Sequence, residues 1–205
     1  MKYGELRDQV LKLLNQYTVA GYPVAETYNN QADYLKRIPA FANDAMMEIA
    51  TTTRKIPVTI PLDFLPHEEF GEYLRYCLPA DFYQFKSGDT LVTDEGRPLR
   101  SGRIEMNGKK YLLLPKDETG KYTITYYRYP NLLCEEPDDN DELDNAPETH
   151  YAVPFYVAGM LAGHDNAFLC SLFMNKYADK LSMMSPGISA DVAPTMDVYS
   201  FGGVY

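Results

Sequence analysis

The stretch Asn30-Gln31-Ala32-Asp33-Tyr34-Leu35-Lys36-Arg37-Ile38-Pro39-Ala40-Phe41-Ala42-Asn43-Asp44-Ala45-Met46-Met47-Glu48-Ile49-Ala50 leads into the strand-like Lys55-Ile56-Pro57-Val58-Thr59-Ile60. That junction decides the class of fold. Phe41, Ala45 and Ile49, with Ala42 and Met46, recur at helical spacing and form one apolar face, while Asp44, Glu48 and Arg54 point elsewhere. The small residues on that face let a partner helix approach closely. Pro39 removes an amide donor and crowds the preceding turn, which predicts a kink or break near Arg37. From Ile56 to Pro130 the apolar period shortens from 3.6 towards 2, so a helical segment gives way to sheet.

Working back towards the N-terminus, Leu6, Val10, Leu13, Leu14 and Tyr17 predict an amphipathic helix of about four turns. Gly21-Tyr22-Pro23 ends it, and Thr27-Tyr28-Asn29-Asn30 offers an N-cap for the second helix. Working forward, Asn107-Gly108 marks a hairpin between residues 103–106 and 109–114, because both residues readily adopt the positive φ of a type I′ turn. The segment His67-Glu68-Glu69-Phe70 reads as a solvated turn. A reversal at Lys116–Gly120 leads into Tyr122–Tyr129, where Tyr122, Ile124, Tyr126 and Arg128 share one face. Ser87-Gly88-Asp89 and Asp94-Glu95-Gly96 mark further turns, so five or six antiparallel strands are expected.

Helix returns after residue 150. Val153, Val157, Met160 and Leu161 form one face, and Phe168, Leu169, Leu172, Phe173, Lys176, Tyr177 and Leu181 continue at helical spacing after Gly163-His164-Asp165. The expected class is α+β: a helical bundle with an inserted antiparallel β meander and an extended C-terminal arm. The expected divisions are 1–55, N-terminal helices; 56–130, β lobe; 131–150, acidic connector; 151–184, C-terminal helices; and 185–205, the arm.

Composition narrows the function. With 45% hydrophobic and 23% charged residues over 205 positions, one good core can be buried. No signal pattern or long apolar run is present, so the cytoplasm is the expected site of synthesis and use. Cys77, Cys134 and Cys170 are odd in number and widely spaced, which argues against a disulfide framework or a zinc site. Eight carboxylates and no Lys or Arg lie between residues 131 and 150; they carry −8 of the formal −10, leaving −2 for the other 185 residues. General affinity for nucleic acid is not expected.

No catalytic constellation is present. His67-Glu68-Glu69-Phe70 lacks the second histidine of a zinc-protease helix. His150 and His164 are separated by about 21 Å at helical rise, too far to share a metal. Asp138-Asp139-Asn140-Asp141-Glu142 lacks the glycine and the terminal glutamate of a calcium loop. Gly202-Gly203 has no phosphate-binding context, and no nucleophile elbow occurs. The tyrosines around Tyr126, Tyr127 and Tyr129 read first as cross-strand packing partners and only second as a stacking face, with Lys116, Lys121 and Arg128 nearby. A hydrolase or carbohydrate-binding reading would use Asp81 or Glu105 as acids, although Asp81 after Pro79-Ala80 reads better as a turn cap. No catalytic residue, cofactor or metal is expected.

The helical block and strand above, then Leu78-Pro79-Ala80-Asp81-Phe82-Tyr83, Tyr126-Tyr127-Arg128-Tyr129-Pro130 and the apolar Tyr151–Ala162, follow in an order that resembles the head-tail adaptor (connector) proteins of tailed bacteriophages. The resemblance spans residues 30 to 182. It implies a structural virion protein at the neck, assembled in the host cytoplasm, that forms a homo-oligomeric ring, a dodecamer, beneath the portal. The ring would extend the DNA channel, join capsid to tail and contact tail or nozzle proteins, with DNA passing through without sequence-specific binding and no membrane involved. Other neck or tail-completion roles, stopper or tail terminator, stand as alternatives.

Adaptors of this kind grip the portal with C-terminal arms. Here the matching segment is Ser185–Tyr205, with Val198, Tyr199, Phe201 and Tyr205 as expected anchors on the portal or a neighbouring subunit. About 20 extended residues reach at most roughly 66 to 72 Å. Ordering them costs about 1 to 2 kcal/mol per residue, so several anchors must bury together. In a ring, Asp138, Asp139, Asp141 and Glu142 would present a negative wall to the channel and repel DNA phosphates.

Overall fold

The computed structural model describes residues 1–15, 31–86, 91–93, 98–99, 101–118, 120–163 and 166–184. Among these residues four α-helices form the bundle: α1 (Tyr3–Leu13), α2 (Gln31–Glu48), α3 (Val153–Ala162) and α4 (Ala167–Ser182). In α1 the Lys2 amide donates to the Glu5 carboxylate at 3.1 Å. Tyr3, Leu6, Val10 and Leu11 are buried. This helix ends at Leu13, short of its expected four turns, and Asn15, two residues on, takes a left-handed φ of 57°. Tyr17 and the proposed cap at Thr27–Asn30 lie outside the described residues.

Of the kink or break expected near Arg37, the break does not occur. The helix runs through Pro39. Ile38, Ala42, Ala45, Met46 and Ile49 on either side are all fully buried against the bundle. Burial of one such large side chain contributes about 1.5–3 kcal/mol, and several together offset the roughly 3 kcal/mol that an internal proline costs. The helix loosens only at its end, where Ile49–Thr53 forms a π-turn closed by the Arg54 amide on the Ile49 carbonyl at 2.8 Å. The Thr51 and Thr52 hydroxyls donate back to the Met47 and Glu48 carbonyls, the competition with the helical ladder that widens a turn.

Nine strands are present among the described residues, more than the five or six expected. They are β1 (Ile56–Pro61), β2 (His67–Phe70), β3 (Tyr73–Cys77), β4 (Phe82–Phe85), β5 (Leu91–Thr93), β6 (Pro98–Leu99), β7 (Gly102–Met106), β8 (Lys109–Pro115) and β9 (Tyr122–Arg128). All pairings are antiparallel. One sheet has the order β1-β9-β5-β6 with β4 also on β9; the other runs β2-β3-β8-β7. The pairing of β1 with β9, from Ile56 opposite Arg128 to Pro61 opposite Thr123, closes the whole inserted segment on itself.

His67–Phe70 is an edge strand rather than a turn. The reversal falls one step later, at Gly71-Glu72, where Gly71 has φ 61°. Asn107 and Gly108 take φ of 52° and 72° between β7 and β8, as the hairpin requires. Period-2 burial places Tyr122, Ile124 and Tyr126 of β9 and Leu112 and Leu114 of β8 in the sheet core.

The bundle core joins Leu6 and Val10 of α1, Met46 of α2, Val157 and Leu161 of α3, and Tyr177 of α4. Gly159 allows α3 and α4 to approach, since a Cβ there would sit 3.0 Å from the Met174 sulfur. Phe173 and Tyr177 carry the inward face of α4, whereas Phe168 is 75% exposed and Leu172 lies at the surface. The periodicity of α4 therefore continues past the edge of its neighbours. A bulge at Tyr83, between the pairs Phe82–Arg128 and Gln84–Tyr127, joins the two halves of the fold. It brings the Tyr83 ring to 5.1 Å from Tyr129 and its hydroxyl to the Thr51 carbonyl at 3.4 Å.

Candidate functional site

Residues 131–150 run as a strap across the bundle, held by contacts far apart in sequence. At the start, the Asn43 side chain reads the Leu133 backbone as a strand would. Its Nδ2 donates to the Leu133 carbonyl at 2.9 Å, and its Oδ1 accepts from the Leu133 amide at 2.8 Å. The middle of the strap caps the N-terminus of α1. The Tyr3 and Gly4 amides donate to the Asp141 and Asp139 carbonyls at 2.7 and 3.1 Å, and the Leu143 amide donates to the Met1 carbonyl at 3.1 Å. These bonds satisfy amides that open a helix without intrahelical partners. Gly4 suits the crossing, because a Cβ there would lie 3.2 Å from Asp139.

Side-chain charges reinforce this backbone clasp. The Arg7 guanidinium meets the Asp139 carboxylate at 2.5 Å. Burial works against the Arg7 charge, but bonding to Asp139 more than offsets it and raises its pKa. Lys2 donates to the Asn140 side chain at 3.0 Å. Asp138 accepts from the Asn140 amide at 2.8 Å, and chiefly for that reason its carboxyl lies below the usual range. The Asp138 amide in turn donates to the Asp141 carboxylate at 2.9 Å. Asp138, Asp139, Asp141 and Glu142 are thus gathered into one exposed, structured segment.

The strap is tied to the sheet at its far end. Arg128 makes two bonds to the Asp144 carboxylate, at 2.6 and 2.7 Å, and Asp144 also accepts from the Asn131 amide at 2.7 Å. The Arg128 bond is the largest reason the Asp144 carboxyl is held below its ordinary range, and it raises Arg128 correspondingly. Arg54 reaches Glu148 at 2.6 Å. The Met1 ammonium donates to His150 Nδ1 at 2.7 Å, so this nitrogen is the acceptor and Nε2–H donates to the Asn145 carbonyl at 3.1 Å. Burial, then the Met1 charge, pushes the His150 imidazole below its ordinary pKa.

The proposed arm anchors Val198, Tyr199, Phe201 and Tyr205 lie outside the described residues, as does His164. Asp81 sits at the turn before β4, which is closed by the Phe82 amide on the Pro79 carbonyl, and its own bonds reach across to β9: its carbonyl accepts from the Tyr129 amide at 2.8 Å, and its carboxylate accepts from the Tyr126 hydroxyl at 3.2 Å. Burial and that carboxylate push the Tyr126 phenol up to about 12. Glu105 stands on an exposed strand opposite Lys110. Tyr126 packs on Phe82 at 5.6 Å, in keeping with the packing reading of the tyrosines. Among the described residues no group of three or more His, Cys, Asp or Glu side chains is placed to hold a metal, and no helix is long and apolar enough to cross a membrane.

Sequence reasoning missed the residues that hold the strap: Lys2, Arg7, Asn43, Arg54 and Arg128. Each is an isolated polar residue on a helix or strand or, for Lys2 and Arg54, just beyond the end of a helix. Only the unusual density of carboxylates from 135 to 148 hinted that dispersed cations would be drawn to it.

Residues 1–185 match the family model described as SU10 adaptor protein. No curated protein matches the chain significantly.

Proposed function

Because the chain belongs to the SU10 adaptor protein family, a family of structural bacteriophage adaptors, we propose that it is the head-tail adaptor, forming a ring beneath the portal and joining capsid to tail. Family membership makes it a virion component that acts through other virion proteins. The observation that carries the finer reading is the extent of the match. It covers the bundle, the sheets and the strap and stops at residue 185, where a stretch rich in apolar and aromatic residues begins. A folded body followed by such a stretch suits a protein that seats on one partner and reaches for another.

In this proposal Val198, Tyr199, Phe201 and Tyr205 anchor on the portal or a neighbouring subunit, tail or nozzle proteins bind below, and DNA passes through a dodecameric ring. The exposed carboxylates Asp138, Asp139, Asp141 and Glu142 face the channel, where fixed negative charge disfavours adhesion of DNA phosphates. The clasp on α1 keeps that charge in place during passage.

Limited proteolysis with and without portal rings tests the proposal. Cleavage within 186–205 is expected in the free chain and protection on the portal, with deletion of 186–205 abolishing attachment while leaving the unfolding midpoint unchanged. Full attachment of the deleted chain would remove the arm from the mechanism, and no attachment of the intact chain would refute the adaptor role.

A further inference from the structure

An antiparallel sheet with one face on the core ordinarily alternates apolar and polar residues. The β2-β3-β8-β7 sheet departs from that pattern. Leu112 and Leu114 of β8 point into the sheet core, yet Tyr111 and Leu113, which point the other way, are apolar too. A run without alternation is the pattern of a strand covered on both faces. The register puts Phe70, Tyr73 and Met106 on the same outer face, and all three are exposed. Arg75 lies at the centre of that face, 5.0 Å from the Phe70 ring centroid and 4.8 Å from that of Tyr111. Its Nη1 is 3.1 Å from the Met106 sulfur, and its charge is paired with Glu68, the one outward carboxylate on these four strands. Lys109, at the hairpin end of the face, makes no hydrogen bond or ion pair among the described residues.

A second open apolar face lies on α4. Phe168, Leu172 and Met183 are exposed, and helical spacing places them, with Asp179, within about 60° of one another around the axis. The Asp179 carboxylate makes no hydrogen bond or ion pair among the described residues. Phe70, Tyr73 and Met106 on the sheet and Phe168, Leu172 and Met183 on the helix are six of the nine large apolar side chains exposed among the described residues. Apolar exposure is therefore gathered in two places, as at interaction surfaces, and not scattered singly. Both faces are open, so neither covers the other within one subunit.

We propose that the outer face of α4 in one subunit packs across the outer face of the β2-β3-β8-β7 sheet in a second copy of this chain. A helix laid on a sheet is a standard way to bury two such faces. The dimensions agree: Phe168 to Met183 spans about 22 Å at helical rise, and the four strands are roughly 14 Å across from the first axis to the last. The charges agree as well, because α4 brings the free Asp179 carboxylate to a face whose free charge is the Lys109 ammonium. Two sheets laid face to face would supply no carboxylate beyond Glu68, which Arg75 already holds. Helix and sheet patches differ, so the contact is heterologous: each subunit receives one neighbour and docks on another, the geometry that closes into a ring. This contact rests on the proposed adaptor ring and supplies its subunit interface.

The test uses the full chain, alone at high concentration and on portal rings. A photo-cross-linking benzoylphenylalanine replaces Phe168 in ¹⁴N protein, which is mixed with ¹⁵N-labelled wild type. Cross-links from position 168 into residues 70–75 or 104–113 of the labelled copy are expected. Phe168→Asp and Tyr73→Asp should each weaken self-association by about tenfold or more, since each puts an unpaired charge into an apolar contact. Their unfolding midpoints should stay near wild type, because both side chains are exposed. Phe168→Ser and Tyr73→Ser serve if the charge disturbs folding. Lys109→Glu and Asp179→Lys should each weaken association about fivefold or more, and the two together in one chain should restore it. Wild-type assembly on the portal with all these variants unimpaired would overturn this inference and leave the adaptor reading standing. Cross-links instead to the portal, to residues 186–205, or to α4 of the second copy would give the helix face a different occupant and likewise overturn it. Absence of wild-type assembly on the portal would remove both.

Discussion

Replacing Asp144 with Asn removes the charge that ties the strap to the sheet while keeping nearly the same shape. Arg128 would lose its bidentate partner, and the Asn131 amide would face a weaker acceptor. Fully exposed ion pairs contribute about 0.2–1 kcal/mol, and breaking a fully buried one costs about 3–5 kcal/mol. The Arg128 and Asp144 side chains are 17% and 26% exposed, between those limits, and solvent screening discounts the larger figure. The expected loss is about 1–2 kcal/mol, or a fall of about 3–6 °C in Tm for a chain of this size. The sign with pH is fixed by the depressed Asp144 pKa: its contribution is complete above the unfolded carboxyl value of about 3.9 and is lost as pH falls through the folded value. Urea unfolding of wild type, Asp144→Asn, Arg128→Gln and the double variant at pH 7 and pH 3 measures this, with the pair coupling read from the cycle. A variant within about 0.5 kcal/mol of wild type at pH 7, as for an ordinary surface substitution, or a difference that persists undiminished at pH 3, would refute the reasoning.

Asn43→Ala should cost about 1–3 kcal/mol, because the Leu133 amide and carbonyl lose their partner together; hydrogen exchange at Leu133 should quicken while the sheet core keeps its protection. Gly108→Val should cost about 1 kcal/mol or more from backbone conformation alone, since φ is 72° and no atom lies within 4 Å of a Cβ there; equal midpoints in urea would contradict this. His150 refuses a proton that the unfolded chain accepts, so stability should fall as pH drops below about 6.5, by up to about 1.4 kcal/mol per pH unit, and level off below the folded pKa. His150→Gln should flatten that slope, and an unchanged pH profile would count against the Met1–His150 contact.

The helical faces were legible because burial follows a period that residue type records: Val10, Ala45, Val157 and Tyr177 were all placed by spacing. The hairpin at Asn107-Gly108 was legible from a conformational preference local to two residues. Neither kind of signal reaches β1 opposite β9, whose partners are more than 60 positions apart, or reveals that Tyr83 forms a bulge. Pro39 did not end its helix because the neighbours supply burial that a local rule does not count. The acidic strap was visible as composition, whereas its clasp on α1 rests largely on backbone groups that every residue carries.

The central claim concerns attachment, so its most direct measurement is the single-particle mass of portal rings from the same phage after incubation with this 23.3 kDa chain. The adaptor account expects the mass to rise in steps of one chain to a plateau at one copy per portal subunit. Portal mass that stays constant across all chain concentrations, with the chain remaining free, would contradict it.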